Sequence, residues 1–258
     1  MSDSFNRSEW ENGFNKEQFT SWHCSICTKG VLNGDLSSLD YTQKESSKAY
    51  CEVDPGVEFI EYVSQFKLQC TYCRELYFLT FKGEVNESYY KGTNGYEVEY
   101  HEKFWPIFCY PAPLVFKIPE NTPDLIRELL LLSFSTFYFD PHGAANKVRC
   151  CLEELCNVND IPEMKTNNKG KEVRDFLTNR IEKLCKKLDI ECGDYFDSLK
   201  TIGDKGSHYK SINVLEEEQQ LDLEIILDVY EITSFLLDEI YSRPMRQSSA
   251  ERINKKYN

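Results

Sequence analysis

The sequence predicts an α+β protein, with an N-terminal zinc-ribbon-like β domain followed by a C-terminal bundle of four or five helices. Three observations predict it. Two Cys-x-x-Cys pairs, Cys24/Cys27 and Cys70/Cys73, bracket and adjoin aromatic, β-prone segments in the first half. A proline-rich joint runs from Trp105 to Pro119. Beyond it, apolar residues recur at three-and-four spacing, the period of a helix buried on one face. The expected boundaries are a flexible lead-in at 1–19, the β domain at 20–118, the bundle at 119–242 and a tail at 243–258.

Taken in order, Met1 to Phe19 is polar and acidic and reads as a loose lead-in with a short helix from Asn15 to Thr20. Asn33 to Ser47 reads as a polar loop. Val57 to Leu68 alternates as a strand and runs into Cys70–Cys73. Glu75 to Phe81 is a second strand, ended by Lys82-Gly83, and Asn94-Gly95 is a hairpin-type turn before Tyr96, Val98 and Tyr100. Thr122-Pro123 supplies an N-cap and a first-turn proline for a helix to about Phe139. Pro141 opens a second helix striped by Ala145, Val148, Leu152 and Leu155. A third is expected over Lys171–Leu188, burying Val173, Phe176 and Ile181, and a short fourth over Asp194–Ile202. A fifth reaches about Ser242, where Arg243-Pro244 stops it.

Composition bounds the function. The chain has 258 residues and a net charge of −13, so polyphosphate is repelled at long range. Lys165 to Lys187 is the local exception, with eight bases against three acids. That stretch is either the place of a nucleic-acid contact or a solvated helix face. No apolar run approaches the roughly 20 residues of a membrane span, and no signal-peptide pattern opens the chain, so a cytoplasmic protein with reduced thiols is expected. Nucleotide-binding glycine loops, H-E-x-x-H and G-x-S-x-G are absent from the sequence.

Eleven cysteines therefore need an account other than disulfides. Two thiolates separated by two residues reach one ion when the backbone turns tightly, and four fill a tetrahedral Zn2+ completely. Cys24, Cys27, Cys70 and Cys73 are the expected ligands of a structural zinc, with disulfide pairing as the competing reading. Forty-two residues separate the pairs, so the ribbon carries an insertion, and His23 and Cys51 are spare ligands.

In the helical half, Ala144-Ala145-x-x-Val148-Arg149-x-x-Leu152-Glu153-x-Leu155-Cys156 precedes Arg180-Ile181-x-x-Leu184. Then comes Leu199-Lys200-x-Ile202-Gly203-Asp204-x-Gly206-Ser207-His208. Together these resemble the prokaryotic domain of unknown function 4145 family, over roughly residues 20–242, found behind zinc ribbons or fused to restriction-type subunits. That family is similar to HEPN (higher eukaryotes and prokaryotes nucleotide-binding) helical bundles, many of which dimerise and cleave RNA without metal in defence systems.

The resemblance implies a HEPN-like four- or five-helix bundle that forms a homodimer. It also implies a catalytic group of His208, Lys200 and Asp204, with Arg149 and Arg180 as phosphate-binding residues. Histidine titrates near neutral pH and suits acid–base work, and a guanidinium grips phosphate bidentately. Departures stand beside this. Lys200, where the family has arginine, lacks the planar fork, and Asp204 replaces a common asparagine and repels phosphate. His208 otherwise reads as a loop residue against the fifth helix, and Arg149 and Arg180 as bundle salt bridges with Glu153 or Asp204.

The expected function is a zinc-binding interaction or nucleic-acid-associated protein of a prokaryotic anti-phage or restriction-type system. It is expected to be HEPN-like and catalytically degenerate, with RNA, DNA or a defence protein as partner and no membrane role. The alternatives are a metal-independent RNA endonuclease using His208 and a nucleotide-sensing regulator.

Overall fold

A computed structural model describes residues 5–35, 39–54, 56–92, 95–191, 223–245 and 247–248. The chain divides into two compact units, Arg7–Leu114 and Val115–Asn258, the latter taking in Met1–Asn6.

The first unit is an antiparallel sheet. Strands β1 (Leu32–Asn33), β3 (Glu61–Cys70), β4 (Leu76–Gly92) and β5 (Gly95–Tyr110) lie side by side in that order, and β2 (Thr42–Gln43) also pairs with β3. On β4, Tyr77, Leu79, Phe81 and Val85 are buried while Phe78, Lys82 and Glu84 face solvent, the period of two that one-sided burial demands. The inner face is aromatic. Phe81 packs edge-on against Phe104 and Phe14, with ring centroids 5.1 and 5.3 Å apart, and Trp10 stacks on Trp22 at 5.0 Å.

Several expectations fail here for tertiary reasons. The lead-in is not loose: Phe14 exchanges two backbone hydrogen bonds with Phe104, and Trp10 and Phe14 are 1% and 4% exposed. The short helix is α1 (Ser8–Glu11) rather than Asn15–Thr20, where Asn15 Oδ1 instead accepts from the backbone of Glu17 and Gln18. Lys82-Gly83 does not end a strand. Gly83 pairs with both Tyr62 and Phe104, and its missing side chain makes room for the Phe104 ring, 2.6 Å from where a Cβ would lie. The insertion is not a bare loop either. It contains β2 and helix α2 (Glu45–Cys51), anchored by Ser47, whose hydroxyl donates to Phe59 O at 2.7 Å and accepts from Glu61 N at 3.0 Å. Pro106 lies on the edge strand β5 opposite Phe81, where the β4–β5 register shifts in a bulge.

In the second unit α3 (Asp124–Thr136) and α4 (Pro141–Val158) pack together, and α4 also meets α5 (Leu177–Leu188) and α6 (Leu223–Leu237). Pro141 opens α4 as expected, with Asp140 capping Gly143 N at 2.8 Å, and the predicted stripe is buried. Helix α6 buries residues on nearly every side, as an interior helix must. Its Tyr230 hydroxyl meets Ser133 Oγ at 2.7 Å, and Ser133 donates to Ala144 O at 2.9 Å.

Thr122 does not cap α3; Pro123 occupies the cap position and makes no side-chain bond. The helix expected from Lys171 starts only at Leu177. Before it, β6 (Met164–Thr166) and β7 (Glu172–Arg174) form a hairpin turned by Asn167, whose side chain accepts from the backbone of Lys169 and Lys171. Val173 accordingly belongs to a strand and Phe176 is 76% exposed. Arg243-Pro244 does not stop the last helix. A π turn, Asp238–Ser242, precedes it, with Arg243 N bonded to Asp238 O, and residues 243–245 stay helical. Cys185 is disulfide-bonded, against the expectation of reduced thiols throughout.

Candidate metal centre

The two Cys-x-x-Cys turns have the same backbone. In the first, Cys24 N donates to Gly30 O at 3.0 Å and Thr28 N to Cys24 O at 3.1 Å. In the second, Cys70 N donates to Glu75 O at 2.9 Å and Arg74 N to Cys70 O at 3.2 Å. Thr28 and Arg74, each just after a second cysteine, adopt left-handed φ of 57° and 67°. This tight reversal aims both thiols of a pair the same way.

Strand pairing then brings the pairs together. Cys70 is the last residue of β3, and Leu32 of β1, five residues past Cys27, sits opposite it. Thr71 N donates to Val31 O at 2.9 Å, and Val31 N to Thr71 Oγ1 at 3.2 Å, so the exit of one turn is laced to the entry of the other. The four sulfurs lie within 4.8 Å of one another. Cys24–Cys73 and Cys27–Cys70 are 3.7 and 3.6 Å apart. A tetrahedral ion with metal–sulfur bonds of about 2.3 Å requires edges of about 3.8 Å. The cluster is compatible with a zinc site.

The surroundings favour charge on sulfur. Backbone N–H groups of Cys27, Gly30, Tyr72 and Cys73 point at Cys24, Cys27, Cys70 and Cys70 respectively, at 3.4 to 3.5 Å. The Tyr77 hydroxyl, buried on β4, lies 3.2 Å from Cys24 Sγ and accepts from Ser25 N at 3.0 Å. Gly30 is required, because a Cβ there would collide with Cys70 Sγ and press to 2.9 Å on the Tyr72 backbone.

Cys27 and Cys73 are pushed in opposite directions. Backbone N–H groups, that of Lys29 first, outweigh burial and lower Cys27 to about 6. At Cys73 the Glu75 N–H lowers the value, but burial and the three neighbouring sulfurs push it up to about 12. Four thiolates crowded this closely need a cation among them to ionise together. Nothing in the set leaves a position for water, so the centre suits holding structure and not Lewis-acid catalysis. His23 and Cys51 are not part of it: His23 bridges Val31 and Leu114 through its backbone, and Cys51 ends α2.

The remaining candidates lie elsewhere. Lys200, Asp204 and His208 fall outside the described residues. Arg149 is on α4, its guanidinium 3.1 Å from Glu153. Arg180, on α5, is 2% exposed and donates to Asn157 Oδ1 at 2.7 Å and Ile161 O at 2.8 Å. The basic stretch from Lys165 is largely spoken for within the fold. Lys165 and Lys183 both bind Asp175 at 2.6 Å, Arg174 meets Glu163, Lys186 meets Glu182 and Lys187 meets Asn159 O.

Asp175 itself is buried. Burial raises its pKa, but hydrogen bonds from Lys165, Lys183 and Asn179 prevail and hold the carboxyl well below the usual carboxylate range. Sequence reading did not single out Asp175, nor Tyr77 and Gly30 as partners of the cysteines. Tyr77 could have been found from its inward register directly after the second turn, opposite Leu68. An open polar hollow of about 540 Å³, lined by Asn12, Gln18, Asn86, His101 and Lys103 among others, gathers no catalytic constellation.

Two family models match the chain. Residues 134–256 match a domain of unknown function (DUF4145), and residues 12–109 match another domain of unknown function (DUF8608). The likeness read from Ala144 to His208 thus holds for the helical half, whereas the cysteine-bearing half matches a different family. No curated protein and no solved structure matches.

Proposed function

We propose that Cys24, Cys27, Cys70 and Cys73 hold one structural zinc ion and that the protein is a non-catalytic, nucleic-acid-associated binding protein of a defence-type system. The closed four-sulfur cluster carries this reading, because such a site shapes a binding surface and offers no position for a reacting water. The defence setting and a HEPN-like, dimerising bundle rest on the resemblance of residues 144–208, and the model matched by residues 134–256 describes a domain of unknown function. Arg149 and Arg180 each already serve a protein acceptor, which makes them structural residues of the bundle and not part of a phosphate site.

The test sets this against an RNA endonuclease. Purified protein is incubated with total RNA in chelator beside a His208→Ala variant. Intact RNA in both supports the proposal. Cleavage that disappears in the variant overturns it in favour of an enzyme using His208, with Lys200 and Asp204 beside it.

A further inference from the structure

The solvent-facing side of the β3–β4–β5 sheet is laid out in rows by its register. Lys67, Phe78 and Tyr110 stand opposite one another across three strands; the next rows are Gln65, Thr80, Phe108 and Val63, Lys82, Trp105. All lie on the face opposite the buried Tyr77, Leu79 and Phe81. Tyr110 is 66% exposed, Phe78 45% and Phe108 36%. Opposite residues in an antiparallel pair have Cβ atoms about 5 Å apart, so Phe78 and Tyr110 form a continuous platform with Phe108 one row on.

We propose that this face binds single-stranded nucleic acid, bases stacking on Phe78, Phe108 and Tyr110 and phosphates meeting Lys67 and Lys82. The inference rests on the nucleic-acid-associated reading above and gives it a place and a strand state.

A one-sided antiparallel sheet normally turns polar residues to water, so a run of exposed rings calls for an occupant. The charges beside the rings decide which. The core of a protein–protein patch is depleted in lysine, yet Lys67 directly adjoins Phe78 and Lys82 follows two positions along. Neither lysine forms an ion pair among the described residues. The face's acids lie away from Phe78: Glu61, bound to Lys44 at 2.5 Å, and Glu84, accepting from Trp105 Nε1 at 3.1 Å, are three rows off, and Glu97 and Glu99 lie farther out along the β4–β5 hairpin. On a chain of net charge −13, the aromatic end of this sheet presents cations. Rings on a sheet face reach only bases that are out of the helical stack, which selects single strands over duplex.

The experiment uses the full chain and fluorescence anisotropy with a labelled oligothymidylate and an oligouridylate of about 16 nucleotides, the upper range of such sites. A duplex of the same length is the third probe. Expected are binding of the single strands and weakening of at least about fivefold in Phe78→Ala and in Tyr110→Ala. Phe78→Tyr keeps most of the affinity, and Lys67→Ala lowers the salt slope by about 0.7, one phosphate contact.

Because these side chains are exposed, the variants should melt with wild type, and that is checked. Lys169→Ala with Lys171→Ala, at the hairpin turn of the helical unit, leaves binding unchanged. The proposal is overturned if single strands do not bind, or if they bind equally well to the Phe78 and Tyr110 variants. It is overturned equally by a solution dimer that Phe78→Ala dissociates, which would assign the face to a second copy. Loss of binding only in the Lys169/Lys171 variant would keep nucleic-acid association and remove this surface.

Discussion

Arg7–Leu114 gathers four sulfurs at a single point, at the end of β3, whereas the buried polar groups of the helical unit are dispersed and satisfied one by one. The β unit has a core of aromatic rings on one face of a sheet, with both Cys-x-x-Cys turns at one end. The helical unit buries α6 almost entirely, and its interior polar groups are local: Tyr230 with Ser133, Arg180 with Asn157 and Ile161, Asp175 with two lysines. A metal ion held by the four sulfurs would clasp both turns at one end of the sheet, and its binding energy would count toward folding this unit. Among the described residues the helical unit gathers no such cluster. The two units should therefore fail under different insults.

The largest effect is expected from the clasp. Metal removal, or Cys70→Ser, withdraws on the order of 10 kcal/mol from the β unit. Hydrogen exchange should show residues 7–114 losing protection while α3–α6 retain theirs. Equal loss in both units would erase the distinction drawn above.

Next in size is Arg180→Met. It leaves the buried Ile161 O without its donor, while the exposed Asn157 turns to water, and about 2 kcal/mol should be lost in urea unfolding of the helical unit. If Arg180 instead served a phosphate, the variant would lose nucleic-acid binding and keep its stability.

Asp175 gives a pH signature confined to the same unit. Its folded pKa is depressed, so its contribution is fully present above the unfolded value near 3.8 and is lost as pH falls below that. About 2 kcal/mol is expected from these charge-assisted bonds. The helical unit's urea midpoint should drop between pH 6 and pH 3, and Asp175→Asn should flatten that drop. An unchanged pH dependence in the variant would remove Asp175 from the account.

The smallest effect sharpens the comparison at the clasp itself. Tyr77→Phe removes the hydroxyl beside Cys24 Sγ and should weaken metal affinity about tenfold, read by competition with a chromogenic chelator, with melting of the loaded protein nearly unchanged.

What was legible in the sequence follows the range of the interactions. The cysteine pairs were readable because ligand spacing is local, and α4 because Pro141 and its apolar stripe are contained within the helix. The lead-in was misread because Trp10 and Phe14 stand in a polar stretch, and Phe81 and Phe104, far along the chain, give Phe14 a core to join. Gly83 resembled a strand end until Phe104 explained it. The β6–β7 hairpin hid in a charged run that also suits a helix; the ion pairs from Asp175 and Arg174 that anchor it cross between elements. Leu199–His208, the segment most suggestive of a catalytic site, lies outside the described residues.

The account turns on whether the cysteine cluster holds zinc. Native mass spectrometry of freshly purified protein, before and after chelation, reads this directly. One zinc per chain is expected, absent from a Cys24→Ser variant. Less than half an equivalent, with the β unit still folded, would contradict it.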